Sequence, residues 1–504
     1  MTHISWSQTN QIELVHSDVL SNSEKIEDAV KLTGNVHFKN QNLNLFCDSA
    51  LFHQTQNWVK GYGRVQINQG DTLNLYSDSL FFDGNTSIGK LQSNVKIRDN
   101  SFKLNTDSLS FNTMSSVAYY SKNAFIKSNL DEMTLTSTKG KYFAKTKTFI
   151  FKDSVILEHP DYIVHSDTLE YRALDEDILI HGPSTIWLDS ATILTEKAIY
   201  HTQTDDMQLW RKAIVKTQSQ TIKGDSLWFN GETENARGFG NIFIQDTIEK
   251  VDFIGDFFLK TDSITKMNGN AQVFQYQKTD TLVIQADTIL QLTSPLTNQS
   301  IQIAQSNVIL EQGELIGVCD SLLYSQRDSI IKMQKSPIVW RTNTELTADS
   351  IEVKIADKVV KALNLYQKAF VSMEHDSLHY DQCSGKLIFV KLDSNAIKTI
   401  NIIDNAETIY FPSEEVLDTI TNEKNKTLKG VNYMLSNSIT LQFENSEVQK
   451  ISFKDKPEAV FKPLETAKKE DFFLKKFNLK KSKKPDSILK NLNYFSATPK
   501  PQAP

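Results

Sequence analysis

Apolar and polar residues alternate along the chain in short runs, and each run changes phase once near its middle. In LNLYSDSLFF (73–82), Leu73, Leu75 and Ser77 share one face, and the apolar set resumes at Leu80 and Phe82, one position out of step. FKLNTDSLSF repeats this with Phe102, Leu104 and Thr106, then Leu109 and Phe111; YIVHSDTLEY repeats it with Tyr162, Val164 and Ser166, then Leu169 and Tyr171. Strand side chains alternate with a period of two, so such a slip needs a bulge or a bend. The pattern predicts β-strands with a corner at each Asp.

Aligned on that Asp, copies stand at Asp18, Asp48, Asp78, Asp107, Asp167, Asp225, Asp287, Asp320, Asp349 and Asp376. The separations are 30, 30, 29, 60, 58, 62, 33, 29 and 27, one or two periods of about 30. Degenerate copies fall within the double gaps, at 136–143, 195–201 and, off centre, 260–266, and a final copy without the Asp at 435–441. A second word precedes each copy by about 14 residues, as LTGNVHF at 32, GYGRVQI at 61, LQSNVKI at 91 and GFGNIFI at 238. Two words in fixed phase define a repeat array over about 11–455, some thirteen or fourteen units, which is a quasi-one-dimensional all-β architecture. Residues 1–10 read as an N-terminal remnant and 456–504 as a basic extension, mostly irregular, with a short amphipathic helix near 465–480.

The repetition decides how the Asp is read. Asp and Ser can satisfy backbone N–H groups left unpaired where a ladder is interrupted, and catalysis seldom needs ten near-identical acids at one spacing. Asp48, Asp78, Asp107, Asp167, Asp225, Asp320, Asp349 and Asp376 are therefore expected at structural corners. The preceding residue is usually small, as expected where two sheet walls approach. Four residues beyond the Asp lies an aromatic in most units (Phe52, Phe82, Phe111, Tyr171, Phe229, Tyr324, Tyr380), with Gln291 and Val353 as exceptions. Stacked, these form an inward stripe that either packs as a core or lines an open apolar trough.

Charge narrows the partners. The net charge is -6, yet residues 454–504 carry 13 Lys against 6 acidic residues, about +7, leaving about -13 for the body. An acidic body argues against nucleic acid, which needs a basic surface; the basic tail suits solvent or an anionic lipid surface. Cys47, Cys319 and Cys383 fit no metal-ligand spacing. His375 and His379 flank a word read as strand, where they would stand about 13 Å apart, too far for a shared metal. GYGRV lacks the helix and third glycine of a phosphate loop. No nucleophile elbow is present, no run spans a bilayer as a helix, and MTHISWSQTN has no signal-peptide character. The reading is of a protein that is not an enzyme and uses no cofactor.

The unit GNVHF…LNLFCDSALF…VKGYGRVQI, followed by GDTLNLYSDSLFFDGNTSIGKLQSNVKI, resembles the OstA-like family: the periplasmic lipopolysaccharide-transport proteins and the N-terminal domain of the outer-membrane translocon. The match is clearest over about 11–260, and the extended array resembles the longer family members of Bacteroidota. The resemblance implies a β-jellyroll or taco fold, two sheets in a V whose apolar interior cradles the acyl chains of lipid A. It implies lipopolysaccharide as ligand, a periplasmic or outer-membrane-associated location, other transport components as partners through edge-strand pairing, and self-association. Carried onto this chain, the inward lipid-binding positions are Leu45, Phe52, Leu75, Phe82, Leu104, Phe111, Val164 and Tyr171. The rival is a ligand-free structural or adhesive array, recognisable by large residues meeting across the interior; a carbohydrate-active solenoid ranks last, because its carboxylates would cluster on one outer face.

Overall fold

The computed structural model describes residues 11–489 apart from 25, 70–72, 130–131, 277–280, 295, 298, 326, 357–358, 394–395, 418–423 and 445–446. The expected N-terminal remnant and the last residues of the extension lie outside the described residues. The chain forms two compact units, Met1–Glu234 and Asn235–Pro504, so the predicted array is shared between them. Its described elements are strands, apart from two single-turn 3-10 helices, Lys469–Phe472 and Lys481–Lys483.

In the first unit, antiparallel neighbours follow chain order: Ala29–Asn40, Leu43–His53, Trp58–Gln69, Leu73–Asp83, Ile88–Arg98 and Phe102–Asn112. After four shorter strands (Val117–Tyr120, Ala124–Ser128, Thr134–Ser137 and Lys139–Phe143), the long pattern resumes from Thr148–His159 to Gln220–Asn230. Successive turns stack as well. Gly84 N–H donates to the Asn57 carbonyl at 2.8 Å, Thr113 to Ser87 at 3.0 Å and Ala144 to Ser116 at 3.0 Å. Asn57, Ser87 and Ser116 all have positive φ, which turns their carbonyls toward the next unit.

The irregularity predicted in the Asp word belongs to its partner strand. Tyr62 faces Ser79 and Val65 faces Ser77, so Gly63 and Arg64 together stand opposite Asp78. Both have positive φ, 72° and 39°. Equivalent pairs are Gly34/Asn35, Ser93/Asn94 and Arg211/Lys212 in the first unit, and Gly240/Asn241, Ser306/Asn307 and Asp404/Asn405 in the second. Two left-handed residues against one extended residue bend the ladder without ending it.

The bend is large. Phe38 pairs with Leu45 and Phe52 with Val30; seven residues of flat strand would hold Phe38 and Phe52 about 23 Å apart, whereas their ring centroids are 5.2 Å apart. The sheet of the first unit therefore folds back on itself along the bulges, and its two halves face each other as walls. One wall holds residues before the bulge and after the Asp, such as Leu32 and Phe82; the other holds residues after the bulge and before the Asp, such as Phe38 and Leu75. The bend is the corner predicted from the phase slip, and the two facing walls are the V that the OstA-like resemblance implies.

The second unit repeats the pattern over longer strands, among them Ser300–Gln312, Leu315–Ser325, Val359–Glu374, Tyr380–Asp393, Ala396–Tyr410 and Gly430–Glu444. Ser413–Leu417 and Lys424–Leu428 form a separate hairpin. Val308, Leu310, Cys319, Val371, Cys383 and Ala406 belong to the inner core. Their neighbours Ile309, Glu311, Phe370, Gln382 and Ile409 point to the opposite face of the same wall, as the period of two requires. Part of this outer face is apolar too and is covered by the C-terminal segment, which is extended rather than the amphipathic helix expected near 465–480. Phe472 and Leu474 pack on Ile409, Phe411 and Val431, and Ile488 packs on Phe274 and Val283.

Candidate functional site

The interior of the first unit is built from the inward positions of both walls. Leu45, Phe52, Leu75, Phe82, Leu104, Phe111 and Val164 are between 0% and 5% exposed, and Tyr171 is half-buried. Phe82 and Phe111 stack in consecutive Asp-word strands, centroids 6.2 Å apart and planes within 9°. Gly89 faces Phe111 across the ladder, and the Phe111 ring occupies the space a side chain there would need: a Cβ on Gly89 would lie 2.1 Å from Phe111 Cε1. Tyr120 covers Gly140 in the same way. Glycine on the neighbouring strand thus gives these rings room to lie flat.

The walls touch. Besides Phe38 against Phe52, Phe102 of one wall meets Tyr142 and Phe149 of the other at 4.9 and 4.7 Å. Beside them is an apolar cavity of about 20 Å3 lined by Phe102, Ile126, Met133, Tyr142, Phe149 and Tyr171, room for about one water. Of the two readings left open for the inward stripe, packed core or open trough, these contacts fit the packed core, with large residues meeting across the interior.

The corner line lies at the outer surface. Asp48 accepts from Arg64 Nε at 2.9 Å and pairs with Nη2 at 2.7 Å; Asp78 accepts from Asn94 at 2.6 Å; Asp320 and Asp349 pair with Lys335 and Lys368 at 2.8 and 3.2 Å. Asp18 and Asp287 accept from Asn35 and Asn307. In five of these six the partner is the second left-handed residue of a bulge, and for Asp320 it is the first, Lys335; all are reached side chain to side chain, where the sequence suggested backbone N–H groups. Asp107 and Asp225 stand opposite Ser93/Asn94 and Arg211/Lys212, and Asp167 opposite the bulge at Gly182.

Asp376 is not at a corner. It lies in the turn between Val359–Glu374 and Tyr380–Asp393, accepting from the N–H groups of Leu378 and His379 at 2.8 and 2.9 Å and pairing with His379 Nδ1 at 2.8 Å. Burial works to raise its pKa, but these hydrogen bonds outweigh it and hold the carboxyl at about 2. The corner of that strand is Lys386, whose partner is Asp404. Lys139 with Asp153 shows the same reversal, so either polarity serves the corner and alignment on Asp misplaces the reversed copies. His375 pairs with Asp381 at 2.9 Å, so the two histidines sit beside a turn with different carboxylates.

The small residue before the Asp does more than fit. Ser77 and Ser166 hydroxyls, both buried, donate to the carbonyls two residues on, each at 2.9 Å, and Ser184 donates to Ser166 at 2.8 Å. The recurrence of Ser and Thr there was the available signal. Cys47 and Cys319 occupy the same place; burial pushes their thiols up to about 11 and about 12. Cys383 is also buried and raised. Among the described residues no cluster of three or more His, Cys, Asp or Glu could hold a metal, and no helix is long and apolar enough to cross a membrane.

Residues 9–167 match the family described as OstA-like protein; this part of the chain is OstA-like. Among solved structures, the chain is similar to LptH from Pseudomonas aeruginosa, the LptA-homologous periplasmic component of its lipopolysaccharide transport device. Identity is 15%, the TM-score 0.22, and the match covers 30% of this chain and 95% of that one. No curated protein matches the chain.

Proposed function

We propose that this chain is a non-enzymatic periplasmic carrier or bridge component of lipopolysaccharide transport, in which the two walls of the first unit part to take lipid A acyl chains between them. The observation that carries the reading is the OstA-like match over residues 9–167, the stretch in which apolar walls face each other and join through the bulges. Burying an acyl chain of about a dozen methylenes contributes roughly 10 kcal/mol. Exposing an inward Leu or Phe costs about 1.5–3 kcal/mol, so one chain offsets the opening of several such positions and recovers part of that burial by lying against them. Polar corners outside and apolar walls inside suit a ligand whose saccharide and phosphates stay in water. Partners dock by strand addition at the N-terminal strands Glu13–His16 and Val19–Asn22, where Val15, Val19 and Leu20 are exposed; self-association uses the same edge.

The second reading, a ligand-free structural array, is favoured by the contact of Phe38 with Phe52 and of Phe102 with Phe149 across the interior. Photo-crosslinking to lipopolysaccharide separates the two, with probes at Phe82 and Phe111 and an outward control at Phe81. Adducts at the inward sites alone, competed by unlabelled lipid A, support the carrier. Equal labelling at all three sites, or none, sinks it in favour of the structural array.

A further inference from the structure

The C-terminal segment is fixed on the outer face of the second unit through its backbone. Gln382, 0% exposed, donates to the Phe472 carbonyl at 2.7 Å and accepts from Leu474 N–H at 2.8 Å. Buried Glu345 accepts from Lys480 N–H at 2.9 Å, and buried Glu311 from Ile488 N–H at 2.7 Å and from the Ser487 hydroxyl. With Phe472, Leu474 and Ile488 turned inward, the intervening lysines are left outside. Lys475, Lys476, Lys483 and Lys484 are exposed, and Lys481 is tied to Glu374. The stretch 475–484 holds six lysines and no acidic residue, in a chain whose net charge is -6.

We propose that this lysine ridge is a docking surface for an anionic bilayer. Charge complementarity selects the partner: four to eight clustered lysines are the composition that anionic lipid surfaces attract, each contributing about a fivefold gain in partitioning. Because the segment is already ordered on the protein, little conformational entropy is left to lose on binding. The proposal stands apart from lipid entry into the first unit, since it concerns only exposed side chains of the second.

The test uses the full chain and sedimentation with vesicles of phosphatidylcholine alone or mixed equally with phosphatidylglycerol. The expected result is partitioning to the mixed vesicles only, weakened by raising ionic strength, which shortens the screening length. Replacing Lys475, Lys476, Lys483 and Lys484 by Gln should lower it roughly 600-fold, about fivefold for each charge removed. Removing as many charges from the first unit, at exposed Lys90, Lys96, Lys103 and Lys127, should leave it nearly unchanged, with circular dichroism confirming that both variants fold. Equal loss in both variants would mean net charge alone is sensed, and binding to neutral vesicles would mean apolar insertion; either overturns the ridge, as does no binding at all. Abolition by inorganic phosphate at matched ionic strength would reassign it to a discrete phosphate site. Crosslinking within the first unit can fail without touching these outcomes.

Discussion

Replacing Gly89 and Phe111, singly and together, measures how firmly the interior of the first unit is packed. Phe111→Ala removes a ring that is 3% exposed and, by the usual range for a buried Phe, should cost about 3–5 kcal/mol. Gly89→Ala places a methyl where a Cβ would meet Phe111 Cε1 at 2.1 Å and Cζ at 2.2 Å. Gly89 stands between Phe82 and Phe111 in the ladder, so the Phe111 ring must move off it within a buried interior, and overpacking of this kind costs about 1–3 kcal/mol. In the double variant the methyl no longer meets a ring and fills part of the space vacated, so the combined cost should fall short of the sum by about 1–2 kcal/mol. Urea unfolding followed by tryptophan fluorescence, fitted with the slope compared among variants, gives these numbers. A cost below about 1 kcal/mol for Phe111→Ala would mean that the stripe is not a packed core. Strict additivity would mean that the ring does not lie over Gly89. Either result refutes the closed interior described above.

Two other outcomes follow from the corner line. Gly63→Ala should destabilise the first unit by at least about 1–2 kcal/mol, the ordinary cost of a left-handed L-residue, because φ there is +72° and the new Cβ would lie 2.6 Å from Asp48 Oδ2; Asp48→Ala should relieve only the clash, and equal costs in both backgrounds would show that no clash existed. Cys47 gives a pH signature: its folded thiol is raised from 9.0 to about 11 by burial, so the folded state keeps a proton that the unfolded chain loses. Its contribution is complete below about pH 9 and declines toward pH 11, at up to about 1.4 kcal/mol per pH unit. Urea midpoints at pH 8 and pH 10.5 should therefore fall more in the wild type than in Cys47→Ala, and parallel falls would assign the alkaline loss to other groups.

The strand character, the inward set and the repeat were legible because a period of two with one slip is a strong signal, and Leu75, Ser77, Leu80 and Phe82 are all buried as that slip requires. Which strand bulges was not. Glycine marks the bulge at Gly34 and Gly63, and Asn, which tolerates the left-handed region, recurs at its second position as at Asn94, but Arg211/Lys212 hold the same left-handed pair with no compositional sign of it; there the surrounding ladder imposes the conformation. Asp376 was misplaced because an ion pair works in either direction, so a Lys at 386 leaves no Asp to align. The covered outer face of the second unit did have a signal, since Ile338, Val339 and Trp340 are consecutive and all buried, and an unbroken apolar run means a strand covered on both faces. The C-terminal segment was hidden by its lysines, because its buried apolar side chains, Phe472, Leu474 and Ile488, are widely spaced and backbone contacts carry much of the attachment.

The same repeat thus serves two mechanical situations. In the first unit the outer face of the wall carrying Leu75 and Ile97 presents Lys96, Lys103 and Asn105, exposed residues with no segment laid across them in the described structure; parting the walls there breaks interior contacts and little else. In the second unit the corresponding face is braced from the Ile488 contacts at Phe274 and Val283 to the Phe472 contacts at Phe411 and Val431. Three buried acceptors, Glu311, Glu345 and Gln382, are committed to that brace. Turning this wall would either carry the segment with it or strip those hydrogen bonds, and buried carboxylates left without donors cost far more than exposed ones. Wall separation is therefore less costly in the first unit than in the second, which is why Phe82 and Phe111 are the positions at which a lipid would first be detected.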